Sequence, residues 1–371
     1  MSLKILHFAD LHLGRKFSGY GEASETLSEA RYEAVERLVK LATEKNCDAI
    51  VIAGDLFDRL NINKSDVQRA ITPLNNFEGP VLLLPGNHDY MGESGNLWSY
   101  VNDVKDENVI LLDEKEPYNL SEYDLNAVFY PAPCHTKHSN THQIGWVNEV
   151  EKNNESYHIG VAHGSVPDAA IDLNDEHFPM TRSDLKTAGV DLWLLGHIHI
   201  PWPNNPGPTD SILYSGTPEP DTANTPHKGT ALVIEIDEDG NRSVEKLSTG
   251  RYYFETWDLK VSDKSDLDKL KERTENEENQ NLVCRLNLSG VLTPEDYEYW
   301  VKEIEPSIKN YFLFLRVNDE ELRKQITKEE IAGRFAEDSF PAKLLSELLE
   351  ENDQDALQIA FDELEEAKDE N

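Results

Sequence analysis

Five times in this chain an apolar run stops abruptly and Asp, Asn or His follows at once. Val81-Leu82-Leu83-Leu84 breaks at Pro85-Gly86 into Asn87-His88-Asp89, and Leu6-His7-Phe8-Ala9 leads into Asp10-Leu11-His12. Ile50-Val51-Ile52-Ala53 leads into Gly54-Asp55, Ile159-Gly160-Val161-Ala162 into His163-Gly164, and Leu192-Trp193-Leu194-Leu195 into Gly196-His197-Ile198-His199. Apolar strand, sharp turn, functional side chain is how an α/β sheet delivers chemistry at the carboxyl ends of its strands. Five such ends predict one shared site, and the residue types predict that it holds metal.

The periodicity around these ends supports an α/β class. After a first strand at 3–8, Tyr32, Val35, Leu38, Val39, Leu41 and Ala42 recur at helical spacing over 28–45, and a second strand follows at 48–53. That strand–helix–strand unit predicts parallel neighbours joined by a right-handed crossover. A helix over 64–75 precedes the strand at 81–84; further strands are expected at 109–112, 125–130, 157–162 and 190–195, with a helix near 143–152. Residues 196–228 carry seven prolines and read as loop, and Asp239-Gly240-Asn241 joins a hairpin that closes a domain over 1–250. Beyond it, strands at 253–261 and 282–288, charged helices at 264–276 and 294–305, and an apolar strand at 311–315 predict a small α/β unit over 251–319. From 320 to 371 the pattern is helical only. Thr327 and Glu330 have capping-box spacing, and Leu344, Leu345, Leu348 and Leu349, then Leu357, Ala360, Phe361 and Leu364, form apolar stripes.

The pooled candidate ligands are Asp10, His12, Asp55, Asn87, His163, His197 and His199. They comprise two carboxylates, one amide and four imidazoles, with no thiolate. Oxygen and imidazole donors suit divalent ions such as Mn²⁺, Fe²⁺ or Zn²⁺. Seven donors exceed one tetrahedral ion and suit two ions sharing a bridge, for which Asp55, alone on its strand, is the natural candidate. Two ions about 3.5–4 Å apart clamp the attacking and leaving oxygens of an in-line displacement at phosphorus and lower the pKa of water. Asp10 and His12, like His197 and His199, are two apart, so if each pair continues its strand both side chains share one face. Asp58 reads as a loop cap rather than a ligand. Cys134, His135, His138 and His142 lack regular ligand spacing and read as a polar surface loop.

The order Asp-x-His, Gly-Asp-x-x-Asp, Gly-Asn-His-Asp, His-Gly, Gly-His-x-His resembles the calcineurin-type metallophosphoesterase superfamily over residues 1 to about 250. Within it, Asp10-Leu11-His12-Leu13-Gly14 and Gly54-Asp55-Leu56-Phe57-Asp58 resemble the SbcD-type DNA-repair exonucleases, the nuclease subunits of SbcCD-like complexes. The resemblance implies a two-sheet αββα sandwich with helices outside, a small α/β capping domain at 251–319 and a helical C-terminal tail at 320–371. It implies two divalent ions, most simply Mn²⁺: one on Asp10, His12, Asp55 and His199, the other on Asp55, Asn87, His163 and His197. His88 would donate to the phosphate or the leaving oxygen, with Asp89 orienting it by a hydrogen bond. The implied activity is exonuclease, with endonuclease cleavage within its scope, in DNA repair and recombination. The implied partners are DNA and an SbcC-like SMC-type ATPase, bound by the tail helices; the resemblance also leaves room for a homodimer.

Composition bears on that expectation in two ways. Three cysteines, odd in number and far apart, argue against a disulfide framework and for a reducing cytoplasm, and no apolar run approaches the ~18 residues of a membrane span. The net charge of −36 runs against nucleic-acid binding. It is uneven, however: residues 1–100 carry 10 Lys or Arg against 14 Asp or Glu, whereas 320–371 carry 6 against 17. The acid concentrates in the tail, away from the ligand motifs. Arg15, Lys16, Arg59, Lys64, Arg69 and Lys137 lie near the expected mouth and are the candidate phosphate contacts. The rival readings are a phosphodiesterase or phosphatase acting on small nucleotides, which the acidity favours, and a tethering subunit with an idle metal site. The capping domain and tail argue against the first, and the complete donor set against the second.

Overall fold

A computed structural model describes residues 2–92, 95–154, 156–167, 169, 177–351 and 354–369. The chain divides into two compact units, Met1–Glu255 and Thr256–Asn371.

In the first unit, β1 (Leu3–Phe8), α1 (Ala23–Glu44), β2 (Ala49–Ala53), α2 (Lys64–Asn75), β3 (Val81–Leu84), α3 (Leu97–Val104) and β4 (Val109–Leu111) form parallel crossover units. A second series follows: β5 (Tyr118–Asn119), β6 (Ala127–Ala132), β7 (Tyr157–His163), α4 (Arg182–Thr187), β8 (Leu192–Gly196) and β9 (Ile212–Tyr214). The hairpin β10 (Thr230–Ile236) and β11 (Arg242–Ser248) returns to β1, antiparallel. The result is a six-stranded sheet ordered β11-β10-β1-β2-β3-β4 and a five-stranded sheet ordered β5-β6-β7-β8-β9.

The unbroken apolar runs explain the layering. A strand buried on both faces has no polar side to show, and β2, β3 and β8 are buried at every position. Alternate residues then serve different cores. Leu6, Phe8, Ile50, Ile52 and Leu83 pack with Val35, Leu38, Val67 and Val101 of the helices, whereas Leu3, Ile5, Val51, Leu82 and Leu84 pack against Phe129, Ile159, Val161 and Leu194 of the other sheet. The far face of the second sheet has its own core around Tyr130, Trp193 and Tyr214. This is the αββα sandwich. Helix α1 begins five residues before the expected Ser28, because Ala23 and Leu27 extend its buried stripe. The helix expected near 143–152 is only a 3₁₀ turn, Gly145–Glu149.

The second unit contains a three-stranded sheet ordered β12-β13-β14, from β12 (Tyr253–Val261), β13 (Leu282–Leu292) and β14 (Phe314–Lys324), with α5 (Lys264–Thr274), α6 (Pro294–Tyr299) and α7 (Glu305–Ile308) between its strands. A π turn at Trp300–Ile304 joins α6 to α7 and buries Trp300 and Ile304. The strand expected at 311–315 begins later and runs five residues into the region expected to be helical, to Lys324. Phe314–Lys324 pairs in parallel with β13 over Val283–Leu292, so ladder hydrogen bonding overrides the charged sequence. Helices α8 (Lys328–Arg334), α9 (Phe340–Glu350) and α10 (Gln354–Asp369) follow, packed around Ile331, Phe335, Leu345 and Leu357. Thr327 accepts from the Glu330 N–H as an N-cap. The three cysteines are unpaired and buried, and no described helix is long and apolar enough to cross a membrane.

Candidate metal centre

All seven predicted ligands converge where the carboxyl ends of β1, β2 and β3 in one sheet meet those of β7 and β8 in the other. The backbone there is not extended. Asp10, His12, Asp55 and His197 have φ of 60°, 48°, 52° and 97°, a region that residues other than glycine seldom occupy. Asp10/His12 and His197/His199 therefore do not continue their strands, and the condition under which strand alternation would set their faces is not met. Left-handed turns aim these side chains, held by backbone bonds from Asp10 N–H to Gly54 O (3.1 Å) and from His12 N–H to Asp55 O (3.0 Å). The glycines give room. A Cβ on Gly54 would lie 2.3 Å from His163 Nδ1, and one on Gly86 would lie 2.3 Å from Asp55 Oδ1.

The donor atoms are close-set and buried. His163 Nε2 lies 3.3 Å from Asp55 Oδ2 and 3.0 Å from Asn87 Oδ1, and His197 Nδ1 lies 3.1 Å from the same amide oxygen. His12 Nε2 lies 3.7 Å from Asp55 Oδ2 and 3.1 Å from His199 Nε2. Asp10 accepts from the His197 backbone N–H at 2.9 and 3.0 Å. Among the described residues, the three groups able to chelate an ion are Asp10–His12–His199, His12–Asp55–His88 and Asp10–Asp55–His163. All belong to this centre, with Asp55 central.

Electrostatics favour a cationic guest. Burial pushes the Asp10 carboxyl up to about 6 against the pull of His163 and His199. Burial also holds His12 well below the ordinary imidazole range and takes His197 down to about 3, with neighbouring positive charge adding to the shift at His197. At Asp55 burial pushes upward too, but His163, His12 and His88 outweigh it and keep the carboxylate ionised. Two neutral imidazoles with available lone pairs and an ionised carboxylate are the ligand forms a divalent cation needs. His163 Nδ1 lies 2.8 Å from the Ala53 carbonyl oxygen; a carbonyl only accepts, so Nδ1 carries the proton and Nε2 faces the donors. The residues fit a pair of divalent cations.

His88 stands at the edge of the set, its ring 4.7 Å from that of His12 in a T arrangement. Its Nδ1 lies 3.1 Å from the Asp58 carbonyl oxygen, which fixes the proton there. Asp89 does not orient it. The Asp89 carboxylate accepts from the backbone N–H groups of Gly86 (2.6 Å), Phe57 (3.0 Å) and Asp55 (3.3 Å), tying the β2 and β3 turns together. Burial and the nearby Asp55 charge push its carboxyl up to about 7. The orienting group is the carbonyl of Asp58.

The candidate phosphate contacts are dispersed. Arg59 and Lys137 line a depression of about 290 Å³ with Asn61, His88 and Tyr90. Lys64 pairs with Asp103 at 2.6 Å and Arg69 with Glu29, both on exposed surface, and Lys16 is exposed. Arg15 faces inward to Asp221, 3.0 Å away. Two groups escaped the sequence reading. Asp221 lies 3.5 Å from His199 Nδ1, and His177 stacks on His197 with ring centres 5.0 Å apart. His138 of the histidine-bearing loop sits edge-on to His177. Neither lies in a strand-end motif; the acidic residue inside Pro218-Glu219-Pro220-Asp221, shortly after Gly-His-x-His, was the one available signal.

Residues 3–201 match the calcineurin-like phosphoesterase family. Among curated proteins the chain is similar to an uncharacterized metallophosphoesterase, YhaO, of Bacillus subtilis, at 27% identity over 207 residues covering 53% of this chain and 48% of that protein. It is also similar to the DNA double-strand break repair protein Mre11 of Aeropyrum pernix, at 27% identity over 274 residues covering 67% of this chain and 61% of that protein. The chain thus spans about half to three fifths of the length of these relatives. A dimetal phosphatase from Danio rerio overlaps it with a TM-score of 0.41 and 13% identity over 67% of this chain and 99% of that one, a likeness too low to carry an argument. With more than half of its length matched, and with the motifs of that match gathered at the joined strand ends, this chain belongs to the calcineurin-like phosphoesterase family.

Proposed function

We propose that the protein is a divalent-metal-dependent DNA exonuclease, with endonuclease cleavage within its scope, that hydrolyses phosphodiester bonds in DNA repair. The observation that carries this reading is the convergence of seven donors with His88 at their edge, its Nδ1 proton held by a carbonyl. The 27% likeness to a DNA double-strand break repair protein supports DNA as the substrate. Asp10, His12, Asp55 and His199 would hold one ion and Asp55, Asn87, His163 and His197 the other, with Mn²⁺ suited to the oxygen and imidazole set. When bound, such ions stabilise charge on the phosphoryl oxygens and lower the pKa of water.

The chain's own residues supply the rest. Asp55, held ionised, is shared, and the His197 N–H fixes the Asp10 carboxylate. With Nδ1 committed to the Asp58 carbonyl, the Nε2 of protonated His88 is the nitrogen that delivers a proton to the departing sugar oxygen. Arg59 and Lys137 beside it place positive charge where the next phosphate of a strand would lie. The helices α8–α10 leave Phe340 and Ile359 exposed at 73% and 60%, anchors suited to a helical SMC-type ATPase partner.

The net charge of −36 favours a second reading, hydrolysis of small nucleotide diesters. The test is Mn²⁺-dependent digestion of end-labelled duplex DNA beside bis(p-nitrophenyl) phosphate, using wild type, His88→Ala and Asp55→Ala. Processive shortening that both substitutions abolish supports the nuclease. Turnover of the small diester with intact DNA, unchanged by an SMC-type ATPase, supports the second reading.

A further inference from the structure

The imidazole His199 is gripped from outside the family motifs. Its backbone oxygen accepts from His227 Nε2 at 2.7 Å and from the Thr217 N–H at 3.1 Å, so the main chain is pinned from two sides. Away from the centre the ring meets Asp221. That carboxylate belongs to the loop between β9 and β10 and its side chain is 2% exposed. One oxygen, Oδ2, is 3.0 Å from Arg15 Nη1. The other, Oδ1, has no hydrogen-bond partner within normal distance among the described residues and faces His199 Nδ1 at 3.5 Å. A buried carboxylate oxygen without a donor is costly, and the proton of His199 is the one placed to satisfy it.

We propose that Asp221 is a positioning residue of the metal centre, holding the Nδ1 proton of His199 so that its Nε2 lone pair faces the cation. A carboxylate accepts and never donates when ionised, so the tautomer follows from the contact. Nε2 then lies on the side of His12 Nε2, 3.1 Å away, within the Asp10–His12–His199 group. His163 achieves the same presentation with the Ala53 carbonyl. His199, whose Nδ1 meets no backbone carbonyl among the described residues, uses a carboxylate instead, and Arg15 anchors that carboxylate from the solvent side. This assigns Arg15 to the support of the centre rather than to the substrate strand.

The inference rests on the metal reading above, and calorimetric titration of the full chain with Mn²⁺ separates the two. Wild type is expected to bind two ions. Asp221→Asn is expected to weaken one of them about 10- to 100-fold and leave the other within about twofold, with apo thermal unfolding measured alongside. In the His199→Ala background, Asp221→Asn is expected to cost nothing further, because the residue acts through that ring. Should Asp221→Asn fail to fold, Arg15→Gln loosens the same carboxylate and is expected to weaken the same single site. Two wild-type-like affinities in the variant that folds overturn the proposal, as does a loss fully additive with that of His199→Ala. A wild type that binds no Mn²⁺ overturns the metal reading itself.

Discussion

At the scale of single residues the centre depends on unfavourable backbone. Asp10, His12, Asp55 and His197 all occupy positive φ, and two glycines clear the space their side chains need. Such conformations persist where surrounding contacts over-determine them, and Asp89 is one of those contacts, with three backbone N–H groups on its carboxylate. Gly86→Ala puts a Cβ 2.4 Å from the Asp55 backbone nitrogen as well as against its carboxylate, so something must shift. We expect loss of at least one Mn²⁺ site by calorimetry and destabilisation of about 1–3 kcal/mol by urea unfolding. His88 gives a sharper test of role. A sugar oxygen leaves poorly without a proton, whereas p-nitrophenolate leaves well. His88→Ala is therefore expected to lower kcat on DNA about 10²- to 10⁴-fold while lowering it far less on bis(p-nitrophenyl) phosphate, as steady-state rates on the two substrates will tell.

At the scale of elements, the strands hold the site because each serves two cores. Leu83, fully buried in the helix-side cluster, sits three residues before Gly86. Leu83→Ala is expected to cost about 2–5 kcal/mol, read from the shift of the urea midpoint. His7 is the one polar residue on the inter-sheet face of β1, between Ile5 and Ala9. Burial takes its imidazole from 6.5 down to about 4, partly offset by the Val51 carbonyl. The folded state thus binds fewer protons than the unfolded chain between those values. This contribution to stability is complete above pH 6.5 and is lost as the pH falls toward 4, on the order of 3 kcal/mol in all. His7→Leu should flatten the dependence of unfolding free energy on pH in that window, measured by urea titrations at several pH values.

At the scale of the whole molecule, charge matters most. A chain at −36 repels itself when compact, and the repulsion is screened by salt. The thermal midpoint is expected to rise as NaCl goes from low concentration to about 0.5 M, where the Debye length falls to a few ångströms. A flat or falling midpoint would mean that the acid is locally neutralised. The uneven distribution bears on substrate as well: the first hundred residues, which carry three of the five ligand-bearing strand ends, are nearly balanced, and the acid is densest in the tail.

The amino-acid sequence alone made the central strands and the parallel β1–β2 pair legible, because a strand buried on both faces reads as an unbroken apolar run, and five such runs lead into the seven proposed donors. Period and composition are local, and so is what they determine. Only the tertiary structure decided how those donors are aimed. Left-handed turns, not strand alternation, point Asp10, His12 and His197, because hydrogen bonds from the neighbouring turns hold them there. It also decided that Asp89 clamps backbone while a carbonyl of Asp58 orients His88, and that Asp221, from a proline-rich loop with no periodic signal, stands behind His199. The same holds for β14, whose charged residues read as helix until pairing with β13 claims them. Contacts between residues distant along the chain leave no mark on local pattern, and these roles are all contacts of that kind.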